Sequence, residues 1–494
     1  MSVASAITLF EKAVTQDESS QYEFACNVEK ILTSFPPKFI AEEFYPFMAT
    51  WIPRNNARIV KTLAEKVDKM AAINEAIVSL APVVESLLAA ENVSIAKIIL
   101  QKIRTVNLGG DVMGFFKRLA SSPLDFVRAF VAKIITLLKS NDDIKNLSAA
   151  LICDPAFQVR FSMCSVIPKL QPDLAKDVAS YACTDSNSRV KSFLPVICSK
   201  LPFFFNDIVT PLLLDHDWAV RASLARELAN STDDTKSLTY CIQLIKDSVW
   251  QVVLCALTSL TTILNRNKGA SYDFLPQVLD VILNNITYPQ TSLKNAAIDS
   301  FLSIYTRCTL DQKKVNTFVE CVIIKQPPNT RLHFLEALAT TKHESIFALI
   351  SSQLFGVITN LMESDQWRVR LGVVQLLSAL AAVSKSGDLS KQFSQLCIQC
   401  LDDEATPVRV AASEQLVQFF LAEKGTALLP ESFAALKSSN SFRKRQSALY
   451  ILLNIGKTVT TPEQKNQIIQ ELKAFEGDAC ENVVNLAREF IANL

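Results

Sequence analysis

A motif that returns about every 36 residues constrains the fold of this 494-residue chain more than any other feature. Each copy has an Asp, about four intervening residues, a Val that is often followed by Arg or Lys, and further apolar residues at helical spacing. We use the Val as the anchor of each copy. The clearest anchors are Val159, Val190, Val220, Val252, Val369, Val408 and Val483. Apolar residues four, seven and eight positions after an anchor share one helical face, which a single repeat cannot bury alone.

Weaker copies of the motif extend the series to fourteen anchors, adding Phe24, Ile59, Ile95, Val127, Leu293, Leu332 and Lys444. A spacing of this length fits one helix–turn–helix unit and excludes a coiled-coil heptad. Glycine is scarce, with 10 in 494 residues, which argues against hairpins and phosphate-binding loops. The pattern therefore predicts an all-α fold, an α-solenoid of about 14 repeats.

The motif also predicts local contacts. The second helix of each repeat should begin at the anchor, and the preceding Asp should cap it by accepting backbone N–H groups. Stacking should bring the Asp of one repeat near the Arg of the next repeat. We therefore predict structural roles for Arg160, Arg221, Arg370 and Arg409.

Charge and cysteine content limit the classes of function. Fifty basic and 49 acidic residues give a net charge of +1, so binding to nucleic acid or anionic membranes through bulk charge is not expected. The twelve cysteines are scattered, which is typical of a reduced compartment. We find no secretory signal and expect no membrane span. These features favour a cytoplasmic protein, and a nuclear pool is compatible with them.

No recognisable catalytic or metal site occurs in the sequence. The three histidines have too few partners for a triad or a metal set, and no phosphate-binding loop or nucleophile elbow is present. The single Cys397-x-x-Cys400 lacks a second pair of ligands, so we interpret both as core residues. We predict no cofactor, no metal and no enzyme activity.

The repeat Asp-x(4)-Val-Arg-x(2)-Ala-x(3)-Leu is similar to the HEAT repeat. Longer matches resemble the scaffold (A) subunit family of protein phosphatase 2A, in register with repeat number. Trp367-Arg-Val-Arg-Leu371 resembles that family's eleventh repeat, and Val369 is the eleventh anchor here. Similar matches occur in the first, seventh, thirteenth and fourteenth repeats, at residues 28–47, 217–221, 442–450 and 477–487.

The resemblance implies a superhelical horseshoe whose turns bind two proteins. Residues 1–310, repeats 1–9, would include the part that binds a regulatory (B-type) subunit. Residues 311–494, repeats 10–14, would bind a Ser/Thr phosphatase catalytic subunit. That family's fifteenth repeat has no counterpart before Leu494, and Phe161 replaces an Arg of its fifth repeat. Both differences weaken the expected partner contacts.

The resemblance and the positions of the aromatic residues predict two sets of contacts. The catalytic subunit would contact Trp367, Arg368, Phe442 and Arg443. The regulatory subunit would contact Phe157, Asp185, Asp217 and Trp218. The alternative for the aromatic residues is that they only cover the core between repeats. The alternative for the whole chain is a transport adaptor of the karyopherin type, although such proteins are longer and usually strongly acidic.

Overall fold

The computed structural model describes residues 3–14, 17–267, 275–308, 310–341, 344–384, 387–422 and 429–494. Within these ranges every regular element is a helix. The helices form fourteen successive pairs, which we number as repeats 1 to 14. The predicted all-α solenoid of about fourteen HEAT-type repeats is confirmed.

The first helices of the fourteen repeats are Val3–Val14, Tyr45–Trp51, Ile77–Leu88, Val112–Ala120, Asn141–Ile152, Pro172–Cys183, Thr210–Leu213, Asp234–Leu244, Leu279–Asn285, Gln312–Glu320, Glu344–Met362, Gly387–Cys400, Ser432–Lys437 and Pro462–Lys473. Several are extended by short helical segments, namely Pro37–Phe39, Ile40–Phe44, Phe204–Val209, Leu275–Val278 and Cys321–Lys325.

The second helices are Glu18–Cys26 with Val28–Ser34, Ala57–Ala64 with Val67–Ala71, Val93–Ile103, Asp125–Ile134, Phe157–Cys164, Ser188–Cys198, Trp218–Glu227, Trp250–Arg266, Thr291–Tyr305, Pro328–Thr341, Trp367–Ser384, Thr406–Ala422, Phe442–Thr458 and Glu481–Asn493. Single 3₁₀ turns follow some helices or connect them, at Ile52–Arg54, Asn74–Ala76, Ile135–Leu137, Ile167–Lys169 and Leu228–Asn230.

The chain divides into two compact units, Met1–Ile263 with repeats 1 to 8 and Leu264–Leu494 with repeats 9 to 14. Within each unit, second helices pack against the second helix of the following repeat, as in the series starting at Asp125, Phe157, Ser188 and Trp218. This packing buries the apolar face that no repeat covers alone. The division predicted at residue 310 concerned partners, and it stays a prediction.

Twelve of the fourteen anchors are buried, but the helices begin earlier than predicted. Lys444 is half-buried. Val159 and Val220 are fully buried, and each lies two residues inside its helix, which starts at Phe157 or Trp218. The anchor predicted for repeat 10 was wrong. The buried residue at that place in the first turn is Thr330, and Leu332 is only half-buried.

An ion-pair ladder connects the turns of successive repeats. The Arg160 guanidinium donates to both carboxylate oxygens of Asp185 at 2.6 and 2.9 Å. It also donates to the Asp154 carbonyl of its own turn at 2.8 Å. Each such side chain therefore joins two consecutive turns. The same ladder contact occurs in the pairs Arg128–Asp154, Lys191–Asp215, Arg221–Asp247, Arg370–Asp403 and Arg445–Asp478.

The predicted ladder is thus confirmed, but its direction is opposite to the prediction. The cation of each repeat reaches forward to the Asp of the following repeat, as Arg128 does to Asp154 and Arg160 to Asp185. The Asp also orders its own turn. Asp185 Oδ1 accepts from the Asn187 N–H at 2.7 Å, two residues on, instead of from the first N–H groups of the helix.

Candidate protein-binding surface

The first residue of the second helix is aromatic in five repeats, namely Phe157, Trp218, Trp250, Trp367 and Phe442. This position precedes the anchor by two residues and lies at the helix start, where the chain leaves the turn. An aromatic residue here covers the edge of the core and keeps part of its ring in solvent.

Trp367 and Arg368 form a contiguous pair at the start of repeat 11. Trp367 is half-buried and Arg368 is exposed. The Arg368 guanidinium carbon lies 4.9 Å from the centroid of the indole ring, within the range of a cation–π contact. The pair therefore presents a planar apolar surface and a positive charge side by side.

Phe442 and Arg443 repeat this arrangement at the start of repeat 13. Phe442 is 42% exposed, and the Arg443 guanidinium carbon lies 5.9 Å from its ring centroid. The second helices of repeats 11, 12 and 13 pack in succession. At 8–10 Å between neighbouring helices, the two aromatic–arginine pairs should lie roughly 20 Å apart. The structure thus places all four residues predicted to bind the catalytic subunit at accessible helix starts of one unit.

In the other unit, Trp218 is the most exposed of the predicted residues, at 44%. Asp217 is the N-cap of the same helix, and its Oδ1 accepts from the Ala219 N–H at 2.8 Å. That hydrogen bond lowers the pKa of Asp217 from its usual value. The carboxylate is therefore a fixed negative charge beside an exposed indole.

Phe157 is half-buried at the start of repeat 5, and the Arg189 guanidinium carbon of repeat 6 lies 6.0 Å from its ring centroid. Asp185 does not lie on this accessible surface. Its side chain is only 4% exposed and its carboxylate is occupied by Arg160 and a backbone N–H. Because those contacts are internal, we leave Asp185 out of the surface proposed below.

The ladder contacts hold Asp403 and Asp478 in their charged form. Burial alone would raise the pKa of Asp403, but hydrogen bonds from Arg370 and the Ala405 N–H outweigh it, and the pKa is lowered. At Asp478 the hydrogen bonds from Arg445 are the largest influence, and they lower the pKa in the same direction. These turns stay ion-paired at neutral pH.

Arg409 is the exception among the four arginines predicted to be structural. The equivalent acceptor position in repeat 13 is Ser439, so Arg409 finds no carboxylate there. Its guanidinium donates instead to the Gln446 amide oxygen at 2.9 Å and to the Asp403 carbonyl at 2.8 Å. Its Nε has no hydrogen-bond partner among the described residues. Burial lowers the pKa of this guanidinium.

Sequence reasoning missed several ladder residues. Arg128, Lys191 and Arg445 also form ladder ion pairs. Each directly follows an anchor in the sequence, so a basic residue after the anchor would have identified them. In repeat 11 a Ser stands at the position of the motif Asp. Ser364, not Asp365, supplies the carbonyl that accepts from Arg370, at 2.7 Å.

The described residues contain no group of three or more His, Cys, Asp or Glu side chains that could hold a metal ion. Cys397 and Cys400 are both buried, as predicted for core residues, and burial raises the pKa of the Cys400 thiol to about 12. None of the described helices is both long and apolar enough to cross a membrane.

Comparisons with known proteins found similar structures but no matching family. No family profile matches the sequence, and no curated protein matches it. Importin-β crystallised in a polyethylene glycol condition aligns at a TM-score of 0.47 and 10% identity, over 98% of this chain and 80% of that one. Yeast importin-β (Kap95p) aligns at 0.41 and 13% identity, over 98% and 80%. A homology model of the full-length AP-3 complex aligns at 0.40 and 11% identity, over 99% and 93%.

Proposed function

We propose that this chain is a non-catalytic scaffold that binds partner proteins through the aromatic residues at the starts of its second helices. The observation that carries the proposal is the pair of aromatic–arginine contacts at Trp367–Arg368 and Phe442–Arg443. Tryptophan and arginine dominate the binding energy of protein interfaces when a partner covers them. A scaffold of this kind acts by holding two partners close together, which raises their effective concentration.

The partners that we propose are a Ser/Thr phosphatase catalytic subunit and a regulatory (B-type) subunit. The catalytic subunit would dock on Trp367, Arg368, Phe442 and Arg443. The regulatory subunit would dock on Phe157, Asp217 and Trp218. Support for this assignment comes from the resemblance of the repeat 11 and repeat 13 sequences to the phosphatase scaffold family, and from the accessibility of these side chains.

A pair of tryptophan variants tests the assignment, because Trp367 and Trp218 occupy the same helix position in different units. Truncating an aromatic at the centre of an interface typically costs ~2 kcal/mol or more, which is about a thirtyfold loss of affinity. We expect Trp367→Ala to weaken binding of purified catalytic subunit by at least this factor and to leave regulatory-subunit binding unchanged. Trp218→Ala should show the opposite selectivity.

Thermal unfolding of both variants provides the control. If Trp367→Ala unfolds much earlier and loses both partners together, the indole is part of the core and the site is wrong. If the unmodified chain binds no phosphatase subunit, the choice of partners is wrong.

A transport adaptor of the karyopherin type is the second candidate. The importin-β structures to which the chain is similar include one described with RanGDP and one described as a complex with Nup1. Binding of Ran or of a nucleoporin segment by the unmodified chain, without binding of phosphatase subunits, would favour this candidate.

A further inference from the structure

An open groove of about 390 Å³ crosses the second helices of repeats 3 to 6, within the unit Met1–Ile263. We call it the basic groove. Its floor includes the buried Ala129 and Phe130, and its walls include the half-buried rings of Phe126, Phe157 and Phe161. Phe157 belongs both to this groove and to the aromatic residues at the helix starts.

A ring stack supports the aromatic wall of the groove. The ring of Phe161 stacks on Phe193 with 4.3 Å between centroids and 22° between ring planes. At the other end of the groove, Val93 is 58% exposed at the first position of its helix. A preformed wall of aromatic and aliphatic side chains can accept bulky apolar groups with little loss of conformational entropy.

The charged residues of the groove are all of one sign. Lys97, Lys133 and Arg189 are exposed side chains in its lining, and no Asp or Glu lines it. Among the described residues none of the three makes an ion pair, unlike the ladder cations. Their charges are therefore available to a ligand, although the chain as a whole is nearly neutral at +1.

We propose that the basic groove binds a short acidic segment of a partner protein that also carries bulky apolar side chains. Carboxylates would meet Lys97, Lys133 and Arg189, while aromatic or long aliphatic side chains fill the space between the phenylalanines. Four helices spaced 8–10 Å apart span roughly 25–30 Å, which an extended segment of about nine residues covers. The proposal goes beyond the scaffold function and does not depend on the partner being a phosphatase subunit.

Selection from a random library of displayed peptides about nine residues long, against the full-length chain, tests the chemistry directly. We expect enriched peptides to combine several Asp or Glu with at least one Phe, Trp or Leu. Their affinities are then measured by fluorescence anisotropy with labelled synthetic peptides. Affinity should fall as salt rises, because exposed charges are screened.

Two triple charge reversals separate the groove from bulk charge. The groove variant is Lys97→Glu, Lys133→Glu and Arg189→Glu. The matched control reverses three exposed lysines of the same unit that do not line the groove, Lys117→Glu, Lys200→Glu and Lys246→Glu. We expect at least about a tenfold loss of affinity in the groove variant, and at most about a twofold loss in the control.

Several results would overturn the proposal. One is enrichment of peptides that lack acidic residues, or no enrichment at all. Another is equal weakening by both triple variants, which would mean that overall charge governs binding. Retained affinity after every aromatic residue of a peptide is replaced by Ser would exclude the apolar component. Tighter groove-dependent binding to vesicles of phosphatidylserine and phosphatidylcholine would assign the groove to a membrane. These outcomes are independent of the proposed function, because the binding of phosphatase subunits in the Trp367→Ala assay does not involve peptides in the basic groove.

Discussion

The contrast between Arg370 and Arg409 allows the contribution of the ladder to be measured inside one unit. Both residues follow an anchor in neighbouring repeats, and both are nearly buried, at 8% and 3% exposure. Arg370 has a bidentate carboxylate partner in Asp403, whereas Arg409 has only neutral acceptors. We expect Arg370→Met to destabilise the chain substantially more than Arg409→Met.

The expected magnitude follows from the geometry. Arg370→Met removes two charge-assisted hydrogen bonds of 2.8 and 2.9 Å and one to the Ser364 carbonyl of 2.7 Å. Both partners in the ion pair are 10% exposed, so the loss lies between that of a surface pair, about 0–1 kcal/mol, and that of a buried pair, about 3–5 kcal/mol. We expect about 2–3 kcal/mol.

Arg409→Met should be far milder, at about 1 kcal/mol or less. Replacing a buried ion that lacks a counter-charge by an apolar side chain of similar length is often neutral or stabilising. The variant removes neutral hydrogen bonds, but it also removes the unpartnered Nε from the core.

Hydrogen–deuterium exchange of helices Trp367–Ser384 and Thr406–Ala422 is the appropriate assay, since the free energy of opening in a repeat protein is local. A difference of about 2 kcal/mol corresponds to roughly thirtyfold faster exchange. Asp403→Asn, which keeps an acceptor for the Ala405 N–H, completes a double-mutant cycle with Arg370→Met. Equal acceleration by the two arginine variants, or additive effects in the cycle, would refute the ladder argument.

Three further outcomes are expected. Ser439→Asp should stabilise the chain by about 1 kcal/mol in urea unfolding, because it gives Arg409 the missing charged partner, and Arg409→Met should abolish the gain. Hydrogen bonds from its partner Arg445 lower the pKa of Asp478. Asp478→Asn should therefore destabilise the chain above the unfolded-state pKa of about 3.9. In more acidic solution the variant and the unmodified chain should be equally stable. The hydrogen bond to Asp299 raises the pKa of His333. The stability that this hydrogen bond gives the chain is full below about pH 6.5 and is lost as the pH rises through the raised pKa of His333. His333→Gln should therefore lower the melting temperature at about pH 6 but not at about pH 9.

The period of the sequence was enough to predict the fold because each repeat carries its own packing information. An anchor such as Val159, with apolar residues at helical spacing after it, specifies one buried face, and the number of anchors specifies the number of helix pairs. The register failed at repeat 10, where the anchor position holds Thr330, since a hydrophobic pattern cannot identify a buried hydroxyl.

Other features depend on contacts between repeats, which a linear pattern does not contain. The forward direction of the ladder could not be read from the Asp and Arg of one motif, because the stacking of the helices decides which neighbouring repeat each side chain meets. The basic groove was missed for a related reason. Lys97, Lys133 and Arg189 come from three repeats, and only the stacking of the helices brings their side chains to one place.

The forward ladder also bears on how such a chain can lengthen during evolution. Each complete repeat contributes one acceptor and one donor, as Asp154 and Arg160 do in repeat 5. A duplicated copy inserted after repeat 5 would meet the donor of the original on one side and Asp185 on the other. No unpaired charge would be left in the core. In-frame duplication of a whole repeat is therefore electrostatically neutral for any repeat that keeps both residues. Duplication of repeat 13 would be penalised, because the Ser439 of the copy would face the Arg445 of the original and leave it without a carboxylate.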